Sequence, residues 1–405
     1  MTSEVVTDSL KRTRIAVFIF YFAQGICFSS WASRIPDIKN TFGLDDAAWG
    51  TILLMIPIGQ ICGMTLSGLL VSRLGSKRIF PIAIFGYVAM LLLIGLANTK
   101  YYLIINLIAF GFFGNFCNIS VNTQAITLER MYGRSIMASF HGGWSAAGLI
   151  GASIGLLMSS LRVAPFVHFA IVAALVIAAV ILNLRYLQED VKHVKTKEEI
   201  ASSKKNKPER FLFLLGIVAF CGMAAEGAMS DWSGVYLQDV VGTSQRLAPL
   251  GLTTYMITMA SGRFVVDKAS ARFGKKRIVQ AGGCLIFLGL FLAVTFPNLI
   301  TTIIAFMIIG FGTCSIVPTI YSIAGQKTKI STGMALTIVS SISFIGFLLG
   351  PPVIGYISNL TNLRYSYALI GLFGLCIVFL TSRLKVFNSD KKETDAKDKQ
   401  QTKNQ

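Results

Sequence analysis

Charged residues are scarce in this chain. Only 14% of its 405 residues are Asp, Glu, Lys or Arg, whereas 54% are hydrophobic. A typical soluble domain carries about 25% charged residues, so this composition argues against a soluble globular fold. The charged residues also stand in short clusters between long apolar runs. This pattern indicates an integral membrane protein whose surroundings are the lipid bilayer.

Sequence signatures of enzymes, pumps and metal sites are also missing. The chain contains no G-x-x-x-x-G-K-[ST] loop, no H-E-x-x-H motif and no recognisable Ser-His-Asp set. Its seven cysteines include no C-x-x-C pair and fall within apolar runs, so we expect buried thiols rather than disulfides or metal ligands. We therefore expect no enzymatic activity, no cofactor and no metal. No cleavable signal peptide is expected either, because an apolar core and an A-x-A-like site are missing before the first span.

Long apolar runs are the dominant feature that the chain does have. A membrane-spanning helix needs about 20 apolar residues, because the hydrocarbon layer is about 30 Å thick. The sequence predicts twelve such helices in an all-α membrane fold, in two groups of six. They are 15–34, 47–71, 78–98, 101–127, 134–160, 163–185, 211–232, 248–267, 278–296, 299–324, 330–358 and 364–384. We expect an N-terminal half at 1–185, a basic cytoplasmic linker at 186–210, a C-terminal half at 211–387 and a disordered cytoplasmic tail at 388–405.

Basic residues predict the orientation of these helices. With the N-terminus inside the cell, the cytoplasmic loops and termini carry about thirty of the 37 Lys and Arg residues. Lys and Arg collect on the cytoplasmic side of membrane proteins, so we expect both termini in the cytoplasm of a protein of the cell (inner) membrane. The net charge of +18 then reflects topology and some attraction to anionic lipids, and no nucleic-acid partner is expected.

The two halves repeat with an offset of about 199 residues. GLLVSRLGSKR at 68–78 answers to DKASARFGKKR at 267–277, and both lie between the second and third span of their half. Duplicated halves of this kind are the layout of secondary transporters. The residues that we single out in these two loops are Gly68, Arg73, Gly75, Lys77 and Arg78 in the first copy, and Asp267, Arg272, Gly274 and Lys276 in the second.

These loops resemble the signature G-x-L-x-D-R-x-G-x-K-R of the major facilitator superfamily. The departures are Ser72 and Ala271, which stand where that family usually has Asp, and Asp267 lies one turn earlier on the same helix face as a candidate substitute. The stretches 121–126, 140–155 and 226–237 resemble the MosC-like bacterial branch of the superfamily. The resemblance implies two pseudo-symmetric six-helix halves, secondary transport by alternating access, and loops that latch the cytoplasmic gate.

Glu226 is the sharpest functional candidate. It lies about fifteen residues into the seventh predicted span, where an ionisable group is costly and marks a functional site by default. We expect it to bind the coupling proton or a polar solute, the alternative being a structural hydrogen bond to a neighbouring helix. Asp231 is expected near the outer surface, either at a mouth or gate where it pairs with Arg34 or as a solvated cap.

Polar and aromatic residues in the other spans complete the candidate site. Asn115, Asn118 and Asn122 are spaced to form one stripe on the fourth span, which either lines a water-filled cavity or bonds to other helices. His141 is expected to bind solute or relay protons, or else to be structural. Aromatic rings could stack on a solute, although Trp at an interface is typical of aromatic belts. The remaining candidates are Trp144, Trp31, Trp232, Tyr321, which answers to Asn122 in the repeat, and Gln24, which stands where the seventh span has Glu226.

Small residues predict pivots for the movement of the halves. Gly and Pro let helices pack closely or bend, so we expect pivots in the fifth span at Gly148, Gly151 and Gly155, and in the eleventh at Gly346, Gly350, Pro351 and Gly355. Together the sequence predicts a monomeric, proton-coupled transporter of a small polar solute such as a sugar, a cyclitol or a derivative. The alternatives are a proton-driven exporter of amphiphilic or toxic compounds and, in a different class, a non-transporting receptor or scaffold.

Overall fold

The computed structural model describes residues 3–132, 136–190, 209–328, 330 and 332–387, and within these residues the chain is almost entirely helical, without strands. The helices are α1 Ser3–Ser33, α2 Ile35–Thr41, α3 Asp46–Leu53, α4 Met55–Leu74, α5 Ser76–Gly95, α6 Lys100–Tyr132, α7 Met137–Ser160, α8 Pro165–Asn183, α9 Arg210–Asp239, α10 Leu250–Phe273, α11 Lys275–Thr295, α12 Leu299–Gln326, α13 Thr332–Leu360 and α14 Leu363–Arg383.

The twelve predicted spans are present as long helices in the described part of the chain. Eleven of them are long and apolar enough to cross a membrane, with α3 and α4 together forming one span over Asp46–Leu74. The twelfth is α10, a helix of 24 residues whose polar and charged side chains lower its hydropathy. The all-α fold with twelve membrane helices, predicted from the apolar runs, is therefore confirmed.

Two short helices were not predicted. Pro36 stands in the first turn of α2, where its fixed φ suits a helix start, and the chain turns away from α1 just before it. The helix α3 begins after Asp45, whose carboxylate accepts a hydrogen bond from the Ala48 amide at 2.7 Å. The side of the membrane on which α1 ends and α2 lies is called the α2 side below.

The described residues pack into two compact units. Unit 1 contains residues 3–190 and 233–256, and unit 2 contains residues 209–232 and 257–387. The ends of α9 and α10 on the α2 side thus belong to unit 1, although the apolar runs alone divide the chain at 185 and 211. Residues 191–208 and 388–405 lie outside the described residues, so the predicted linker and disordered tail stay predictions.

The repeat is visible in backbone geometry. Gly75, between α4 and α5, has φ 86° and ψ 146°, and Gly274, between α10 and α11, has φ 84° and ψ 145°. A positive φ of this size is readily adopted only by glycine. The two loops therefore keep one conformation at corresponding positions of the two halves.

Close helix packing surrounds the predicted pivots. In unit 1 a Cβ at Gly155 would overlap Ser33, and one at Gly151 would lie 2.8 Å from Ser29 Oγ, so α7 presses its small face against α1. In unit 2 a Cβ at Gly346 would overlap the Phe220 carbonyl of α9. Gly148 has more room, since a Cβ there would lie 3.6 Å from Met256 Sδ. A Cβ at Gly350 would lie 3.2 Å from the Ala224 carbonyl oxygen. Gly355 is buried. The pivot role of these residues stays a prediction.

Candidate functional site

Unit 2 contains an ion pair inside its helices. Glu226 on α9 is 8% exposed. Its Oε1 lies 3.5 Å from Nη2 of Arg263 on α10. Glu226 is therefore one half of an ion pair. A buried carboxylate is tolerated when an opposite charge accompanies it, and removal of one partner leaves the other uncompensated.

Arg263 is a candidate residue that the sequence analysis did not single out. It lies within the predicted span 248–267, and an arginine at that depth is itself a signal of function. Tyr321 and Cys314 of α12 lie within electrostatic reach of Glu226. The Tyr321 hydroxyl bonds to Ser343 Oγ of α13 at 2.8 Å. The pair is thus bordered by hydroxyl and thiol groups from two further helices of unit 2.

Unit 1 contains a polar cluster made by α1, α6 and α7. The Tyr21 hydroxyl donates to Asn122 Oδ1 at 2.7 Å, and Asn122 Nδ2 donates to Asn118 Oδ1 at 3.1 Å. The His141 ring stands edge-on to the Tyr21 ring, with centroids 5.4 Å apart. Asn118 and His141 are exposed although both lie within spans. Since amide and imidazole groups facing lipid would be costly, this surface is expected to face water or solute.

Two predicted site residues make hydrogen bonds between helices. Asn115 Oδ1 accepts a hydrogen bond from Ser67 Oγ of α4 at 2.8 Å, which separates it from the other two asparagines of the stripe. Gln24 is buried and its Nε2 donates to the Gly114 carbonyl of α6 at 3.2 Å. For Asn115, the contact matches the alternative in which the stripe bonds to other helices.

The three predicted tryptophans differ in how far they are buried. Trp31 is fully buried and its ring lies 6.3 Å from that of Trp49, centroid to centroid. Trp232 is also fully buried, and its Nε1 donates to the Pro351 carbonyl at 3.0 Å. Both rings are buried against protein groups in this structure, and their role as stacking groups stays a prediction. Trp144 is half-buried beside Phe28, at 6.4 Å between ring centroids, and stays a candidate.

Arg34 pairs with a nearby residue in the structure. Arg34 is buried, and its Nε lies 3.0 Å from Asp37 Oδ2. Arg34 thus pairs with a residue three positions along the chain, and its predicted pairing with Asp231 stays a prediction. Asp231 is half-buried on α9.

The first gating loop receives a carboxylate from elsewhere in unit 1. Asp190 Oδ2 accepts the Ser76 amide hydrogen at 2.6 Å, and Asp190 Oδ1 accepts the Ser76 hydroxyl. The buried Gln124 holds the segment before Asp190, since its Nε2 donates to the Gln188 carbonyl at 2.7 Å and its Oε1 accepts the Gln188 amide at 2.9 Å. A carboxylate at this place suits the positive end of α5.

The other gating-loop residues are less constrained. Gly68, Arg73 and Arg78 are exposed, and Lys77 pairs with the exposed Glu189 at 3.0 Å. In the second copy, Lys276 Nζ lies 3.5 Å from the Ser382 carbonyl, and the exposed Arg272 stands over the Phe273 ring. The side chain of Asp267 lies outside the described side chains, so its role as a substitute stays a prediction. Among the described residues no group of three or more His, Cys, Asp or Glu side chains could hold a metal ion.

Comparison with known proteins places this geometry in a family. The sequence profile of the Major Facilitator Superfamily matches residues 15–252 and 212–404. An uncharacterized MFS-type transporter of Yersinia pestis is 30% identical over 368 residues, which cover 90% of this chain and 93% of the relative. The membrane protein MosC of Rhizobium meliloti is 28% identical over 372 residues, 91% of this chain and 89% of the relative. The solved D-xylose–proton symporter is 14% identical but shares the fold, with a TM-score of 0.74 over 91% of this chain and 96% of that protein.

The comparisons agree with the helices and the repeat. They confirm the resemblance to the MosC-like branch that the stretches in α6, α7 and α9 indicated. They also agree with a multi-pass membrane protein built from long apolar helices. The chain therefore belongs to the major facilitator superfamily of membrane transporters.

Proposed function

We propose that this protein is a secondary active transporter that couples protons to the movement of a small polar solute. The observation that carries the proposal is the ion pair between Glu226 and Arg263 within the helices of unit 2. When Glu226 is ionised it holds Arg263 by charge. When it binds a proton that attraction is lost, so proton uptake and rearrangement of α9 against α10 become one event.

The polar cluster of unit 1 supports a solute rich in hydroxyl groups. Asn118 and His141 are exposed beside the half-buried Asn122 and the buried Tyr21, and the cluster offers both hydrogen-bond donors and acceptors. Sugars, cyclitols and their derivatives present donors and acceptors in the same manner, and binding leaves few groups unpaired. The name of the D-xylose–proton symporter, which shares the fold, agrees with such a solute and with proton coupling.

A second candidate is proton-driven export of amphiphilic or toxic compounds. The half-buried rings of Phe28 and Trp144 stack at 6.4 Å between centroids. Such a surface suits a flat apolar body with a polar edge. For either candidate we propose a monomer in the inner membrane with both termini in the cytoplasm, as the distribution of Lys and Arg favours.

The test begins with the purified full-length protein. A thermal-shift screen against sugars, cyclitols, amino acids and drugs identifies compounds that raise the melting temperature, because ligands of the native state stabilise it. The best compound is then offered to proteoliposomes with an imposed proton gradient. Wild type should accumulate it, whereas Glu226→Gln should exchange it without accumulation. The control Lys100→Gln removes an exposed charge and should behave as wild type.

Two outcomes bear on the coupling residue. Accumulation by Glu226→Gln at the wild-type level would show that coupling lies elsewhere. If the single variant does not fold, Glu226→Gln with Arg263→Gln removes both charges together and allows the same measurement. Accumulation by that double variant would also contradict the proposal.

A further inference from the structure

A set of polar contacts in unit 1 ties α2 to the end of α9. Lys39 Nζ lies 2.7 Å from Asp239 Oδ2 at the end of α9 and 2.7 Å from Asp46 Oδ1 at the start of α3. Next to this ion pair, Asn40 and Gln238 exchange two amide hydrogen bonds of 2.9 and 3.1 Å. Two neighbouring residues of α2 therefore hold two neighbouring residues of α9, about 200 positions away in the chain.

A third contact extends this set into the loop after α9. Gln245 Nε2 donates to Asp37 Oδ1 at 2.7 Å, and Asp37 in turn pairs with the buried Arg34. Burial raises the pKa of Asp37, against the opposing influence of Arg34 and the hydrogen bond from Gln245. These three residues align the loop over α2, so that successive turns of this short helix each carry a contact.

Charge and burial show how firmly the set holds. The side chain of Lys39 is only 8% exposed, whereas that of Asp239 is 37% exposed. Burial alone would lower the pKa of Lys39, but its hydrogen bonds and attraction to Asp239 and Asp46 outweigh burial and raise it. Lys39 thus remains a cation that needs its partners while the set is closed. Asp239 reaches water easily, so it loses little when it separates from Lys39.

The free energy needed to separate these polar contacts differs from that of the apolar packing elsewhere in unit 1. Separating two apolar surfaces exposes them to water, at a free-energy cost of about 25 cal/mol per Å² of apolar area. Ion pairs and amide hydrogen bonds exchange their protein partners for water when they separate, so the net free energy of separation is small. This property suits a contact that must form and break repeatedly.

We propose that these contacts are a lock that keeps the transport path closed on the α2 side and opens when the end of α9 leaves α2. The α2 lock is defined by the pairs Lys39–Asp239, Asn40–Gln238 and Asp37–Gln245. The inference rests on the proposed function, because only a transporter that alternates between two open states needs such a lock. Asp46 supports the lock by holding Lys39 from α3.

The experiment measures access rather than transport. Asn118→Cys serves as the reporter, since Asn118 is exposed within a span, in a full-length background whose seven native cysteines are replaced. A membrane-impermeant maleimide is added to right-side-out and to inside-out vesicles. In Lys39→Met, labelling from the α2 side should accelerate about tenfold, the change that ~1.4 kcal/mol produces. Lys100→Met, which removes an exposed lysine, is the matched control and should leave the rate unchanged.

Second variants separate the lock from general damage. Lys39→Asp combined with Asp239→Lys reverses the ion pair and should return labelling towards the slow parental rate. Asn40→Cys with Gln238→Cys in the same background should form a disulfide on oxidation, and this should slow labelling below the parental rate. If Lys39→Met does not fold, Asn40→Ala with Gln238→Ala opens the lock from its exposed pair.

The outcomes distinguish the lock from the proposed coupling. Unchanged labelling in both lock-breaking variants, or no recovery on charge reversal, overturns the lock. Labelling needs neither solute nor proton gradient, so a failure of Glu226→Gln to lose accumulation leaves these rates unaffected. Acceleration in the opposite vesicle orientation would support the lock and contradict the proposed placement of the termini.

Discussion

The two partners of the buried pair should respond differently to neutralisation. At 3.5 Å and an effective dielectric constant of ~20, the attraction between Glu226 and Arg263 is ~5 kcal/mol before the cost of desolvation. Removal of one partner of a fully buried pair costs about 3–5 kcal/mol. Because the Arg263 side chain is 24% exposed, water compensates part of this loss. We expect a net destabilisation of about 1–3 kcal/mol for a single neutralisation.

The direction of the asymmetry follows from acid–base chemistry. In Arg263→Gln the remaining carboxyl can lose its charge by taking up a proton, so the loss of stability should be the smaller of the two. In Glu226→Gln the remaining guanidinium keeps its charge, so the loss should be the larger. The double variant carries no unpaired charge and should be more stable than Glu226→Gln alone.

Thermal unfolding of the purified protein checks this reasoning. Membrane proteins commonly unfold irreversibly, so apparent melting temperatures are compared at one scan rate in one detergent. The single variants should melt roughly 2–12 °C below wild type at pH 8, on the scale of about 2–4 °C per kcal/mol for larger domains. Additive losses in the double variant, or equal losses in the two single variants, would refute this reasoning about the pair.

Three further predictions concern the loops, the lock and the polar cluster. Gly274→Ala should lower the melting temperature by the equivalent of about 1 kcal/mol because φ is 84° there, whereas Gly68→Ala, within a helix and with open space around it, should be neutral or stabilising. Since the pKa of Lys39 is raised, the contribution of Lys39 to stability should stay full below pH 10.5, the ordinary value for lysine, and be lost as pH rises through the raised value. Labelling through the α2 lock should therefore be insensitive to pH between 6 and 9 once corrected for maleimide chemistry. Asn122→Leu should weaken binding of the screened solute by about tenfold, whereas Asn115→Leu, which breaks a tie to α4, should lower the melting temperature with little effect on that affinity.

Hydropathy predicted the helices because the bilayer imposes one length and one composition on every span. It could not show which side of each helix faces a neighbour. Asn115 and Asn122 share a predicted stripe, yet one bonds to α4 and the other to Tyr21 of α1. That difference depends on where α1 and α4 lie around α6, which is information from tertiary packing.

The features missed from the sequence share a cause. Arg263 lies in a span of low hydropathy, where a charge looks like part of a weak helix rather than a partner for Glu226. Helix α2 lies in a short segment between spans, where neither length nor hydropathy marks a helix. Trp31 sits near a predicted interface, and its burial against Trp49 follows from α3, which was not predicted as a separate helix. Each case required a contact between different segments of the chain.

If Glu226 binds the coupling proton, as proposed above, its pairing with Arg263 also sets how transport responds to voltage. The ionised pair carries no net charge, and binding of a proton to Glu226 leaves the positive charge of Arg263. With a neutral solute, the proton-loaded and the empty binding site therefore differ by one elementary charge when the site changes from one side of the membrane to the other. A potential of about 100 mV does about 2.3 kcal/mol of work on one charge. A cell whose interior is negative could thus sustain roughly 50-fold accumulation of solute with no pH gradient at all.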